Sequence, residues 1–218
     1  ARHILLPQVG EDGQRKIKAA RVLIVGTGGL GSPISMYLAA AGVGTIGLID
    51  FDVVDQSNLQ RQIVHGVPTV GVSKVLSAKK RLQEINDQLQ VIAHDTALSE
   101  ENADALITEY DIVVDGCDNY STRYLMNRAA RRQGVPYVYG SIFQFDGQVS
   151  VFLPDKGPCY QCLHPVAPPA SIAPNANNKG VFGVLPGVVG LIEATEVLKI
   201  ILSIGDSLSG RLLTYDAL

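Results

Sequence analysis

Four glycines in six residues, Gly26-Thr27-Gly28-Gly29-Leu30-Gly31, separate an apolar strand-like stretch, Val22 to Val25, from a helix-like stretch rich in Ala and Leu. A turn built of glycine lets backbone N–H groups come close to a phosphate, and the helix N-terminus behind it favours negative charge. About twenty residues further on stand Asp50 and Asp52, where a carboxylate that holds a ribose belongs. These features point to a bound nucleotide. They serve a nicotinamide enzyme and an ATP enzyme equally, and a glycine turn without a ligand is the plain alternative.

The residues that follow separate the two chemistries. Ser57-Asn58-Leu59-Gln60-Arg61-Gln62 comes just after the second strand. A nicotinamide does not call for it, whereas a triphosphate does: Arg offers a planar fork of donors to phosphate oxygens and the Asn and Gln amides add neutral donors. Lys74 follows Gly71-Val72-Ser73 at the start of a helix. Ser73 suits the N-cap, but a lysine in the first turn opposes the helix dipole unless an anion approaches it. The glycine loop has no G-K-[ST], so a P-loop is excluded and the cation must come from elsewhere; Arg61 and Lys74 can supply it. The fourth strand runs Ile112-Val113-Val114-Asp115 into Gly116-Cys117-Asp118-Asn119. Asp118 falls at a strand's carboxyl end, where open α/β sheets bind ligands. A carboxylate beside a polyphosphate is repelled unless it holds Mg²⁺. Asn119 can cap the next helix while Asp118 holds the metal. Taken singly, each of these has a bland reading as solvated loop, surface lysine or helix cap.

Cys159-Tyr160-Gln161-Cys162 is a single C-x-x-C on a proline-flanked stretch. A second pair would make it a structural zinc site. A redox dithiol is the rival, but the motif is not expected to open a helix after a strand, as that rival requires. Three cysteines in 218 residues make no disulfide framework, so a reducing cytosol is expected. The net charge of −3 gives no basic footprint for nucleic acid. The most apolar stretch, Val181 to Ile204, is interrupted by Glu193, Glu196 and Lys199. Charges there are costly in a bilayer, so a buried or dimer-facing helix is expected and no membrane partner.

To position these groups the chain alternates short β-rich runs with longer helical ones. Strands are expected at 21–26, 45–50, 89–94, 111–115, 137–141 and 147–153, and helices at 11–19, 30–42, 73–87, 99–107, 121–133 and 185–204. That order predicts an α/β fold: a Rossmann-like, doubly wound, mostly parallel sheet. The polar–apolar alternation Gln148, Val149, Ser150, Val151 suits an antiparallel extension. Residues 154–180 hold six of the eleven prolines and read as a mobile crossover loop. The expected organisation is a nucleotide-binding core over 1–153, the crossover loop over 154–180, and a helix and strand of the same domain over 181–218. The chain stops at Leu218 just after a strand-like run, as a fragment of a longer protein would.

Together these residues resemble the ubiquitin-activating-enzyme-like superfamily, in particular its MoeB/ThiF sulfur-carrier adenylyltransferases. The matching pieces are Arg2-His3-Ile4, GTGGLG at 26–31, LIDFD at 48–52, SNLQRQ at 57–62, GVSK at 71–74, GCDN at 116–119, CYQC at 159–162 and GVLPGVVG at 183–190. The resemblance implies that Gly28 and Gly29 lie against the nucleotide, that Asp52 holds the ribose, and that Asn58, Arg61 and Lys74 grip the phosphates. It implies that Asp118 coordinates Mg²⁺, that Arg2 reaches into the partner's ATP site across a homodimer, and that Cys159 and Cys162 are half of a Zn²⁺ site. The implied activity is ATP-dependent adenylation of the C-terminal glycine carboxylate of a small ubiquitin-like sulfur carrier. The rivals are an NAD-dependent oxidoreductase and a carrier-binding scaffold without chemistry. The family often has a cysteine in the crossover loop. Here Pro174-Asn175-Ala176-Asn177-Asn178-Lys179-Gly180 puts Ala176 at that position, which speaks against a covalent thiol step.

Overall fold

The strand-forming runs are near-continuous Val, Ile and Leu, the composition of strands covered on both faces. The computed structural model describes residues 2–168 and 180–218. It contains β1 (Arg21–Val25), β2 (Thr45–Asp50), β3 (Gln90–Asp95), β4 (Ile112–Asp115), β5 (Tyr137–Phe143), β6 (Asp146–Phe152) and β7 (Leu213–Asp216). The strands form one sheet in the order β3-β2-β1-β4-β5-β6-β7. The first five are parallel, and β6 and β7 add antiparallel to one edge. The expected mixed sheet with an antiparallel extension is what forms.

The helices are α1 (Gly10–Ala19), α2 (Gly31–Ala41), α3 (Lys74–Ile85), α4 (Ala103–Ile107), α5 (Tyr120–Gln133), α6 (Tyr160–Leu163) and α7 (Leu185–Leu202). Strand alternation splits the core in two. Val22 and Ile24 of β1 point to the layer with α1, α2, α3 and α7, where Ile17, Leu38, Leu82 and Val197 are buried. Leu23 and Val25 point to the layer with α4, α5 and α6, where Ile107, Met126 and Tyr160 are buried.

Three expectations need correction. The helix expected over 99–107 begins only at Ala103. Asn102 is the reason: its Oδ1 accepts from the Ser99 N–H at 2.8 Å and its amide donates to the Ala97 carbonyl at 2.9 Å, so its side chain holds the preceding residues in a turn. Secondly, residues 154–168, read above as part of a crossover loop, contain a short helix. Cys159 is the N-cap of α6, which follows β6, and Tyr160 is fully buried. The objection that the C-x-x-C opens no helix therefore falls. The remainder of the expected crossover loop, including Ala176, lies outside the described residues. Thirdly, Ser73 occupies the N-cap position of α3 but makes no side-chain capping bond, and its hydroxyl is buried without a partner among the described residues. The first N–H of that helix goes instead to the Asp52 carbonyl, at 2.9 Å.

No described helix is long and apolar enough to cross a membrane. The apolar stretch near the end is α7, packed against the sheet. Two of the charges that interrupt it are nevertheless buried. Glu196 accepts from Lys199 Nζ at 2.5 Å and from the Leu208 N–H at 2.8 Å. Glu193 is 0 % exposed, and neither carboxyl oxygen has a hydrogen-bond partner among the described residues. It fits only because β5 has Gly140 opposite: a Cβ there would lie 2.2 Å from the Glu193 carboxyl carbon. Burial, then the neighbouring Asp115, pushes the Glu193 carboxyl well above the usual carboxylate range, which favours its protonated form in the folded chain.

A raised folded pKa means the unfolded chain ionises first as pH rises. Stability tied to Glu193 is full below about pH 4.5, its unfolded value, and declines above that. Glu193→Gln keeps the shape and removes the titration. The variant is expected to melt at a higher temperature than wild type at pH 8, with the difference shrinking toward pH 4.5. Thermal melts at the two pH values check this.

Candidate functional site

β1 and β4 are neighbours in the sheet, and the chain leaves them toward opposite faces: β1 is followed by α2 and β4 by α5. Such a switch point leaves a crevice at the strands' carboxyl ends. Gly26 and Gly116 leave β1 and β4 in direct backbone contact there. Gly26 has φ +96°, and a Cβ on it would meet the Gly116 carbonyl oxygen at 2.5 Å; one on Gly116 would meet the Gly26 oxygen at 2.2 Å.

A cleft of about 380 Å³ opens over this contact. Its walls include Gly28, Gly29, Asp50, Asp52, Arg61, Gln62, Lys74, Asp118 and Asn119. The groups expected from five separate segments thus share one crevice. The Arg61 and Gln62 side chains lie on the glycine loop: a Cβ on Gly29 would sit 3.7 Å from Arg61 Cγ, and one on Gly28 would sit 3.5 Å from Gln62 Nε2. The N–H groups of Gly28 and Gly29 have no hydrogen-bond partner among the described residues. Gln62 is 5 % exposed and its Oε1 is likewise unpaired.

The other expected residues divide by what holds them. Asp50 braces the loop. Its Oδ2 accepts from both the N–H and the hydroxyl of Thr27, at 2.8 and 2.9 Å, and its Oδ1 accepts from the Asp52 N–H at 3.0 Å. Lys74 Nζ pairs with Asp52 Oδ2 at 2.9 Å. The anion that a lysine in this first turn needs is supplied by the chain itself. Asn119 caps α5, accepting from the Thr122 N–H at 2.9 Å, which leaves the exposed Asp118 carboxylate facing the cleft. Ser57, Asn58, Leu59 and Gln60 do not line the cleft. Ser57 and Asn58 are used in a 3₁₀ turn capped by Asp55, and the Gln60 side chain abuts Gly183. Arg2 is exposed on a separate turn, away from the cleft of its own chain.

Sequence reasoning passed over two side chains that build the site. Arg123, 5 % exposed, donates from Nε to Asp115 Oδ2 at 3.0 Å and from Nη2 to the Cys117 carbonyl at 2.9 Å. Asp115 also accepts from Tyr137 Oη at 2.9 Å and from the Cys117 N–H at 3.0 Å. This buried network holds the Gly116–Asp118 turn, and so the position of Asp118. The second is His65, 8 % exposed, behind the glycine loop. Its Nε2 lies 3.0 Å from the Thr27 carbonyl and its Nδ1 2.9 Å from Ser77 Oγ. A lone Arg on a helix and a lone His after a polar run carry no sequence signal of burial.

The cleft is also lined by Tyr139, Ser141, Phe143, Gln148 and His164. The Cys159 and Cys162 sulfurs are 3.6 Å apart. Burial alone would raise the Cys159 thiol. The Cys162 N–H and the Arg131 and Asn127 side chains outweigh it and bring it down to about 7. Among the described residues no group of three or more His, Cys, Asp or Glu is placed to hold a metal. The two sulfurs supply only half of a tetrahedral zinc set.

The ThiF family matches residues 1–218. The chain belongs to this family. Within it, the probable adenylyltransferase/sulfurtransferase MoeZ of Mycobacterium tuberculosis is 50 % identical over the whole chain, which covers 57 % of MoeZ. The sulfur carrier protein adenylyltransferase of Thermus thermophilus is also 50 % identical over the whole chain, which covers 82 % of it. Among solved structures, E. coli MccB with ATP superposes with a TM-score of 0.78 at 26 % identity, over 89 % of this chain and 59 % of that one. This ThiF-family chain thus spans little more than half the length of MoeZ.

Arg123→Leu strips the buried Asp115 of its cation and is expected to cost about 3–5 kcal/mol of stability. Removing the exposed Arg132–Asp104 pair should cost less than about 1 kcal/mol. Urea unfolding of the two variants against wild type measures both.

Proposed function

We propose that this chain binds ATP in the β1–β4 cleft and adenylates the C-terminal glycine carboxylate of a small ubiquitin-like sulfur-carrier protein, releasing pyrophosphate. The observation that carries the reading is the convergence of Arg61, Lys74 and Asp118 on one crevice floored by the glycine loop. ThiF-family membership and the names of the two relatives support the reaction class.

The substrate carboxylate is already ionised at pH 7, so the reaction needs no general base. Its obstacle is bringing one anion up to another. The free N–H groups of Gly28 and Gly29, with Arg61 and Lys74, hold the phosphates and spread their charge; Asp52 takes the ribose hydroxyls once Lys74 turns to a phosphate. Asp118, an exposed carboxylate opposite the loop, fits a site in which one carboxylate and substrate phosphates share Mg²⁺. That ion would neutralise charge on the leaving pyrophosphate. The carboxylate oxygen attacks the α-phosphorus, and the bond from that phosphorus to the bridging oxygen of the β-phosphate breaks. Positioning and cationic shielding supply the rate. The carrier's tail enters along the wall formed by Tyr139, Ser141, Phe143 and Gln148. Arg2 completes the site of the other subunit in a homodimer. Cys159 and Cys162 form half of a zinc site, and the protein works in the cytoplasm.

ATP–pyrophosphate exchange tests the proposal. Exchange is expected only with a carrier that retains its terminal glycine. Arg61→Ala and Asp118→Ala should each lower turnover by about 10²-fold, some 3 kcal/mol of transition-state stabilisation, with unchanged melting temperature. Wild-type turnover in either variant counts against the assignment. Displacement of bound ATP by NADH would favour an oxidoreductase, and absence of exchange with every carrier would favour a scaffold.

A further inference from the structure

The three segments that carry the phosphate-handling groups meet at one buried side chain. His65 lies four residues after Arg61. Its Nε2 is 3.0 Å from the carbonyl of Thr27 in the glycine loop, and its Nδ1 is 2.9 Å from Ser77 Oγ on α3, three residues after Lys74. A carbonyl only accepts, so Nε2 carries the hydrogen and donates it. Burial, against the bond to Thr27, lowers the His65 pKa. The ring is therefore neutral at pH 7, and its bare Nδ1 accepts from the Ser77 hydroxyl. Ser77 has one hydroxyl hydrogen, so with that hydrogen on Nδ1 its 2.9 Å contact with Thr69 Oγ1 is one in which Ser77 Oγ accepts, and the ring is anchored from behind.

The consequence follows from peptide geometry. The Thr27 carbonyl and the Gly28 N–H belong to one planar trans unit and point in opposite directions. Holding the carbonyl on His65 turns the Gly28 N–H away from His65. Asp50 fixes the other side of Thr27 through its N–H and hydroxyl. A loop of glycines has no side chains to set its peptide planes, and here the planes are set from outside.

We propose that His65 is a positioning residue for nucleotide binding: it orients the Thr27–Gly28 peptide and ties the glycine loop to the segments bearing Arg61 and Lys74. The inference rests on the reading of this cleft as a nucleotide site. His65 touches no substrate; it acts through Thr27.

The test is MgATP affinity by calorimetry, without carrier, beside steady-state pyrophosphate exchange. His65→Leu fills the space but donates nothing. It is expected to weaken MgATP binding by about 10²-fold, the scale of a loss of alignment, and to raise the KM for ATP far more than it lowers kcat, with the KM for the carrier unchanged. His65→Gln places an amide N–H where Nε2 was and should recover most of the affinity. Ser77→Ala should weaken binding to an intermediate degree, because the ring loses its anchor. Equal losses in His65→Leu and His65→Gln would make the role merely structural and overturn the proposal; so would wild-type affinity in both. If neither His65 variant folds, Ser77→Ala decides alone, and wild-type affinity there overturns the proposal. A wild-type protein that does not bind MgATP fells the nucleotide reading and this inference with it, whereas binding by wild type and all variants alike fells this inference only.

Discussion

Two glycine backbones in contact, Gly26 beyond β1 and Gly116 beyond β4, set the geometry of everything above them. Neither position admits a Cβ. Their approach lets adjacent parallel strands send their chains to opposite faces of the sheet without a side chain filling the gap between. The cleft exists because nothing occupies that gap, and each group in it comes from a segment that leaves a strand at its carboxyl end. Asp50 and Asp52 leave β2, the glycine loop leaves β1, and Asp118 leaves β4. A larger residue at either glycine would push the strand ends apart and scatter all three.

Around this contact the molecule uses charge in two ways. Arg123, Asp115, Tyr137 and the Cys117 backbone form a closed set, with the ionised groups partnered inside the protein. Burying an ion pair yields little net stability, because desolvation offsets the attraction, but breaking one is costly. Such a set therefore serves to hold the Gly116–Asp118 turn in one geometry. Glu193 solves the same problem by giving up its charge. Several polar groups of the cleft are unpaired: Arg61 has no carboxylate partner, and Gln62 Oε1 and the N–H groups of Gly28 and Gly29 have no hydrogen-bond partner among the described residues.

The alternation of strand and helix was legible in the residues because each strand run is short, apolar and followed by a longer run of helical period. The parallel strands and most of the helices lie within a residue or two of where that pattern puts them. Local competition by side chains was harder to read. Asn102 folds back on Ser99 and Ala97 and shortens α4, and nothing in Ser99 to Asn102 as a string distinguishes that turn from a helix start. The cleft was legible where chemistry demands an unusual residue, as with Lys74 at a helix start or Arg61 among amides. The string does not show how a motif's members divide their labour: Ser57 and Asn58 make side-chain bonds with Asp55 in the turn that precedes Arg61. His65, Arg123 and Glu193 were illegible because their roles come from burial, and a single polar residue in an amphipathic stretch reads as surface until its surroundings are known.

The ion pair between Lys74 and Asp52 makes the cleft partly self-satisfied. Lys74 is 8 % exposed on its side chain and Asp52 about half exposed at 52 %, so the carboxylate stands outermost and screens the ammonium behind it. Any ligand that takes the ammonium also strands the carboxylate. A simple inorganic anion can do the first and has nothing to offer the second. A molecule that brings an anionic group and a pair of hydroxyls on one rigid frame compensates both at once, so this pair discriminates by chemistry between such a molecule and a bare inorganic anion.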